Sequence, residues 1–233
     1  MSVTTVLFDL DGTLLPQDQD LFLKSYFSRL VKKLAPHGYD PDLTVKAIWK
    51  CTGAMINNDG SCTNEQAFWR DFAKVCGDHV VNDMPLFDEY YRTEFQQVAN
   101  DCGFNPKAGK CIAALKQKGY RLALATNPLF PAVATESRIR WAGLNKEDFE
   151  LITTYENSSF CKPNLDYYRA ILQQLNVQPE ECLMVGNDVS DDMVVREMGM
   201  QAFLLTDCLI NKNEVDINQF PHGSFDELIA FIG

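Results

Sequence analysis

Val6-Leu7-Phe8-Asp9-Leu10-Asp11-Gly12-Thr13 is an apolar run that ends abruptly in two carboxylates and a glycine. Three apolar residues between polar neighbours are too few for a helix and read as a short buried strand. Asp9 and Asp11, two apart where that strand ends, point into one crevice. In an open α/β sheet that crevice, outside the carboxyl ends of the strands, is where ligands bind. Gly12 lets the backbone turn and approach a ligand closely. Alone, Asp-x-Asp-Gly also fits an ordinary turn or a calcium loop, and the strand in front of it is what favours a site.

Similar short runs recur at Leu122 to Ala125, Leu151-Ile152, Leu183 to Val185 and Ala202 to Leu205. Between the later ones lie helical patterns. Lys107 to Lys118 reads as a helix ended by Gly119, and Leu165, Tyr168, Ile171, Leu172 and Leu175 repeat at helical spacing. Strands alternating with helices predict an α/β fold, a Rossmann-like parallel sheet covered on both faces. The stretch from Pro16 to Phe104 differs. Phe22, Tyr26, Leu30 and Leu34 step by four, with Leu23, Phe27 and Val31 beside them. Asp42 to Met55 is a second helix, and Thr63 with Gln66 forms a capping box ahead of Phe68, Phe72 and Cys76. Phe87, Tyr91, Phe95 and Val98 predict a fourth helix. The expected division is a discontinuous α/β core, 1–15 and 105–233, with an all-α domain, 16–104, inserted between its first two strands. Gly and Pro break the periodicity near both joints.

Composition bounds what such a chain does. Its 233 residues, 46% hydrophobic and 23% charged, fit one large domain or a core with an insertion and exclude a disordered chain. No run approaches the roughly 18 apolar residues that span a bilayer. Met1 to Thr5 lack the basic start and apolar run of a secretory signal, so a cytoplasmic protein is expected. The net charge of −11 makes nucleic acid and membrane poor partners, while a few cations in one cleft still suit a small anionic substrate. The eight cysteines contain no CxxC pair and are expected to be scattered reduced thiols.

Three further polar sites follow later strands. Leu122 to Ala125 ends in Thr126-Asn127, Lys162-Pro163 precedes a helix, and Leu183 to Val185 ends in Gly186-Asn187-Asp188-Val189-Ser190-Asp191-Asp192. A helix starting there would put Asp188 and Asp192 on one face at i,i+4. Taken alone, Lys162 reads as a solvated loop lysine and the acids as caps or dipole partners.

Together, and in this order, these residues resemble the four signature motifs of the haloacid dehalogenase superfamily of phosphatases. Asp9-Leu10-Asp11-Gly12-Thr13 resembles motif one, Thr126 motif two, Lys162 motif three and Gly186 to Asp192 motif four; the helical insertion resembles the family's C1 cap. The resemblance implies a Mg²⁺-dependent enzyme that hydrolyses a small phosphomonoester through an aspartyl phosphate. Asp9 would be the nucleophile and Asp11 the acid and base; an acidic residue there favours phosphate esters over carbon–halogen bonds. Thr126, Asn127 and Lys162 would hold the phosphate. Asp9, the Asp11 carbonyl and Asp188 would hold the metal, with Asp192 orienting Lys162 or a metal-bound water. In the commonest form of motif four an Asp directly follows the Gly; here Asn187 does, so either Asn187 or Asp188 stands as ligand, the charged residue being the expected one. A phosphomutase of the β-phosphoglucomutase type and a non-catalytic phospholigand sensor are the rival readings. The partner is a small phosphorylated metabolite, and the chain is expected to be a monomer or homodimer. Lys24, His37, Lys50 and Arg70 are candidate substrate contacts of the insertion, though each reads first as a solvated surface residue, and the insertion's aromatics are expected to be core.

Overall fold

The computed structural model describes residues 3–233. In chain order its elements are β1 (Thr5–Phe8), α1 (Gln19–Leu34), α2 (Pro41–Ile56), α3 (Asn64–Cys76), α4 (Val80–Arg92), α5 (Pro106–Gln117), β2 (Arg121–Leu124) and α6 (Ala132–Trp141). There follow β3 (Leu151–Ile152), α7 (Leu165–Leu175), β4 (Cys182–Gly186), β5 (Gln201–Leu205), β6 (His222–Gly223) and α8 (Phe225–Ile232). The strands form one parallel sheet in the order β3-β2-β1-β4-β5-β6. The chain therefore builds outward on one side of β1 and then crosses to build outward on the other. That reversal opens a crevice at the carboxyl ends of β1 and β4.

Alternation along the strands divides the core into two layers. Val6 and Phe8 join Leu124, Val185 and Phe203 on one face, under α5, α6 and α8. Leu7, Ala123, Met184 and Leu204 face the other way, onto the Tyr168, Ile171 and Leu175 stripe of α7. A third apolar cluster belongs to the helices between β1 and β2. Phe22, Tyr26 and Leu30 of α1 pack there with Ile48, Phe72, Phe87 and Tyr90. The capping box opens α3, with the Thr63 side chain on the Gln66 amide and the Gln66 side chain on the Thr63 amide. Both passages between these helices and the sheet lie side by side: Gly103 N–H donates to the Pro16 carbonyl at 2.7 Å, and Gln17 bridges Cys102.

Several expectations are corrected. The helix read through Phe87 to Val98 breaks at Thr93, whose φ of −116° and ψ of −88° leave the helical region; a 3₁₀ segment, Glu94–Asp101, continues. No α-helix begins at Gly186: residues 187–192 form a turn, followed by a 3₁₀ segment from Met193 to Met198. The i,i+4 relation of Asp188 and Asp192 survives within that turn, because the Asp192 amide bonds to the Asp188 carbonyl at 2.9 Å. The edge strand β6, His222–Gly223, carries no apolar run and was not anticipated. All eight cysteines are free thiols. No described helix is long and apolar enough to cross a membrane.

Candidate active site

Strand register brings the site together. Phe8 stands opposite Leu124 on one side and Val185 on the other. The residues that leave these strands, Asp9, Ala125-Thr126 and Gly186-Asn187, therefore emerge at one edge. Two bonds continue the ladder there: Asp9 N–H donates to Val185 at 2.9 Å, and Ala125 N–H donates to Phe8 at 2.7 Å. Asp9, Asp11, Thr126, Asn127, Lys162, Asp188 and Asp192 all line one cavity of about 1080 Å³ between the sheet and helices α1–α4.

At its floor Lys162 bridges two carboxylates, with Nζ 2.8 Å from Asp9 Oδ1 and 2.7 Å from Asp192 Oδ1. Burial works against the ammonium, but Asp192 and Asp9 outweigh it and hold its pKa well above the ordinary lysine value. Asp192 is almost sealed from solvent, and burial pushes its carboxyl up to about 7 against the pull of Lys162. Its Oδ2 accepts the Asp188 amide at 3.0 Å. Gly186 is required beneath it, because a Cβ there would fall 2.0 Å from Asp192 Oδ2.

The Thr13 hydroxyl has one proton and two acceptors in reach, Asp9 Oδ2 at 3.1 Å and Asn187 Oδ1 at 2.8 Å. The Asn187 amide donates to the Cys208 carbonyl at 2.7 Å, which turns its oxygen toward Thr13. Gly12, at φ +82°, lies under this amide, and a Cβ would meet Asn187 Nδ2 at 2.3 Å. Asp188, by contrast, places Oδ1 on the backbone amides of Ser190 (2.8 Å) and Asp191 (3.0 Å). Asn187 rather than Asp188 thus meets the surroundings of Asp9. Asn127 Oδ1 accepts the Lys162 amide at 3.3 Å, and the Thr126 carbonyl is fixed by the hydroxyls of Thr153 (2.7 Å) and Tyr167 (2.9 Å).

The sequence reading missed Arg138. Fully buried on α6, it pairs with Asp11 Oδ2, bonds Thr135 Oγ1 at 3.2 Å and lies over the Phe130 ring at 4.5 Å. Burial raises the Asp11 carboxyl above its ordinary value, with Arg138 pulling it down and Asp9 adding to the rise. Asp11 Oδ1 is shielded and has no hydrogen-bond partner among the described residues. Arg138 and Arg140 stand two apart on one helix, and no sequence signal distinguishes the buried one. The aromatics of the helices serve two ends: Phe22 and Tyr26 are buried in the core as expected and also border the cavity, while Phe27, Trp49, Phe68 and Trp69 border it from less buried positions; Lys24, His37, Lys50 and Arg70 are exposed and do not line it.

The cavity floor is rich in oxygen donors. Asp9 and Asp192 pair with Lys162, Asp11 pairs with Arg138, Asp188 lines the same cavity, and one carboxylate oxygen of Asp11 is orphaned. Among the described residues no three His, Cys, Asp or Glu side chains form a metal cage. Asp9, the Asp11 carbonyl and the Asn187 amide oxygen are oxygen donors of the kind that Mg²⁺ takes from a protein, with waters and substrate phosphate completing its shell.

Residues 3–199 match the model of the haloacid dehalogenase-like hydrolase family. A phosphoglycolate phosphatase of Colwellia psychrerythraea is 27% identical over 222 residues, 95% of this chain and 92% of that protein. Pyrophosphatase PpaX of Bacillus cereus is 26% identical over 198 residues, 82% of this chain and 77% of that one. The HAD phosphatase structure from Thermococcus onnurineus has a TM-score of 0.61 at 21% identity, covering 100% of this chain and 98% of the other. For the 2-haloacid dehalogenase from Pseudomonas syringae the TM-score is 0.62 at 19% identity, covering 98% and 97%. These two structures share the fold. With a family model spanning most of its length and the acid-rich crevice at the strand ends of its parallel sheet, the chain is an enzyme belonging to the haloacid dehalogenase-like hydrolases.

Proposed function

We propose that this enzyme is a Mg²⁺-dependent phosphatase that hydrolyses a small phosphomonoester through an aspartyl phosphate. The observation that carries the reading is Asp9: a carboxylate at the end of β1, held by Lys162 at 2.8 Å and Thr13 at 3.1 Å, opening on a cavity large enough for an organic phosphate. The phosphatases among its relatives support the same activity. In the first step an Asp9 oxygen bonds to phosphorus as the ester P–O bond breaks, and Asp11 gives its proton to the departing alkoxide. Arg138 occupies Asp11 Oδ2, which leaves Oδ1 as the oxygen without a protein partner. In the second step water attacks phosphorus, Asp11 takes its proton, Asp9 is regenerated and inorganic phosphate leaves. Lys162, with the Thr126 hydroxyl and Asn127, neutralises and orients the phosphoryl oxygens. Asp192 keeps the Lys162 ammonium aimed at Asp9.

When bound, Mg²⁺ supplies positive charge between the Asp9 carboxylate and the phosphate, two anions that otherwise repel. Asp9, the Asp11 carbonyl and the Asn187 amide oxygen are the ligands we favour, because Asn187 Oδ1 faces Thr13 beside Asp9. Asp188 is the charged rival. In this reading residues 16–104 form the cap of a core built from 1–15 and 105–233. Asp9→Asn keeps the shape of the side chain and removes its nucleophilic charge. Phosphate release from a panel of esters with Mg²⁺ is expected to vanish in this variant while its circular dichroism is unchanged. Normal release by the folded variant would refute the mechanism.

A further inference from the structure

The cavity has two unlike ends. Its floor holds the charged residues described above. Its helical wall is built from rings: Phe27, Trp49, Phe68, Trp69 and Phe87, with Phe130 from the loop after β2. These rings form two patches: Phe27 and Trp49, with centroids 5.6 Å apart, and Phe68, Trp69 and Phe87, with centroids 5.3 Å apart for Phe68–Trp69 and 5.2 Å for Trp69–Phe87. Trp49 is 50% exposed, and Phe68 and Trp69 are only partly buried. Leaving aromatic surface in water is unfavourable, and a ligand that covers it removes that penalty. The charges on this wall are all of one sign. Helices α1–α4 add Glu65 and Asp88 to it and no Lys, Arg or His. Burial first, and then the carboxylates of Glu156 and Asp88, push the Glu65 carboxyl up. Among the described residues lining the cavity only Lys162 and Lys212 are cationic, and Lys162 lies at the nucleophile.

We infer that the leaving group is the alcohol of a bulky, ring-bearing molecule with no negative charge of its own, stacked among the rings of α1–α4. The inference rests on the phosphatase reading for the position of the phosphate. It sets this chain apart from relatives named for phosphoglycolate and pyrophosphate, whose second anionic group would meet Glu65 and Asp88 with no helical cation to receive it. Stacking is worth more for larger rings, and an apolar pocket discriminates by the area it covers.

The test measures both binding and turnover of four primary-alkyl phosphates: ethyl phosphate, phosphoglycolate, 2-phenylethyl phosphate and 2-(2-naphthyl)ethyl phosphate. Binding is measured calorimetrically on Asp9→Asn protein with Mg²⁺, and turnover on the unaltered enzyme. Kd is expected to fall about 30-fold or more from ethyl to naphthylethyl, and phosphoglycolate to bind no better than ethyl phosphate. Trp69→Ala should cut the naphthyl-over-ethyl preference about tenfold. Glu65→Lys, at a partly exposed position on the first turn of α3, should move the preference toward phosphoglycolate even if Trp69→Ala fails to fold. A flat series, tightest binding by phosphoglycolate, or no binding of any of the four overturns the inference. Ring-selective binding without turnover refutes the phosphatase reading, and the leaving-group role with it, while upholding recognition of rings by the helical wall; turnover with a flat or phosphoglycolate-favouring series upholds the phosphatase reading and overturns the inference.

Discussion

The floor and the helical wall of this cavity are built on opposite plans. On the floor, polar groups are fixed by backbone register: parallel strands one ladder apart deliver Asp9, Thr126 and Asn187 to the same edge, and Lys162 ties Asp9 to Asp192. On the wall, apolar rings from four separate helices are held mainly by packing, as in the edge-on pair Trp69–Phe87. Register admits no gradual change, since a slip of one residue turns every side chain to the other face. Packing tolerates exchange of one ring for another of similar volume. In the proposed reading the chemistry is thus placed where variation is punished, and selectivity where variation is tolerated.

The strongest way to break this contrast is Lys162→Met. It leaves Asp9 and Asp192 buried side by side without their cation, so kcat/KM should fall at least about a thousandfold and stability by about 3 kcal/mol or more. Steady-state kinetics and urea titration read the two effects; near-normal turnover would mean the floor does not carry the reaction. Phe72→Ala probes the other plan. Phe72 is fully buried among the helices and does not line the cavity. Its loss should cost about 3 kcal/mol in urea titration, with kcat on ethyl phosphate within a few fold of the parent. A collapse of kcat in a still-folded variant would show that the helices serve the chemistry directly. The smallest effect sharpens the floor itself: Asn187→Ala should raise the Mg²⁺ concentration for half activity about tenfold, and Asp188→Ala by less. The reverse order in a metal titration would return the ligand role to Asp188.

Legibility in the sequence followed the same division. Short apolar runs ending in Asp9, Thr126 and Gly186 announced the parallel sheet and its polar edge, because strand and exit residue are neighbours in the chain. The capping box at Thr63 and Gln66 was legible for the same reason. What escaped was set by distant partners. The break at Thr93 separates α4 from a 3₁₀ turn without interrupting the apolar spacing of Phe87, Tyr91 and Phe95. Arg138 differs from Arg140 only in facing Asp11 and Phe130. The orientation of Asn187 depends on the Cys208 carbonyl, which lies beyond β5. Aromatic periodicity marked the helices but not which rings would border empty space, since core and cavity wall are equally apolar.

The hydrogen bond between Gly103 and Pro16 has a consequence for how this chain came to be assembled. Everything from Pro16 to Gly103 leaves the sheet and returns within the width of one antiparallel bridge. To the sheet, that excursion is equivalent to a tight turn. Closing a loop costs free energy only as the logarithm of its length, and a segment with its own apolar core that brings its ends together reduces even that. The sheet is therefore nearly indifferent to what hangs from this doorway: helices can be lengthened, exchanged or reshaped there while Asp9 stays in register with its neighbours.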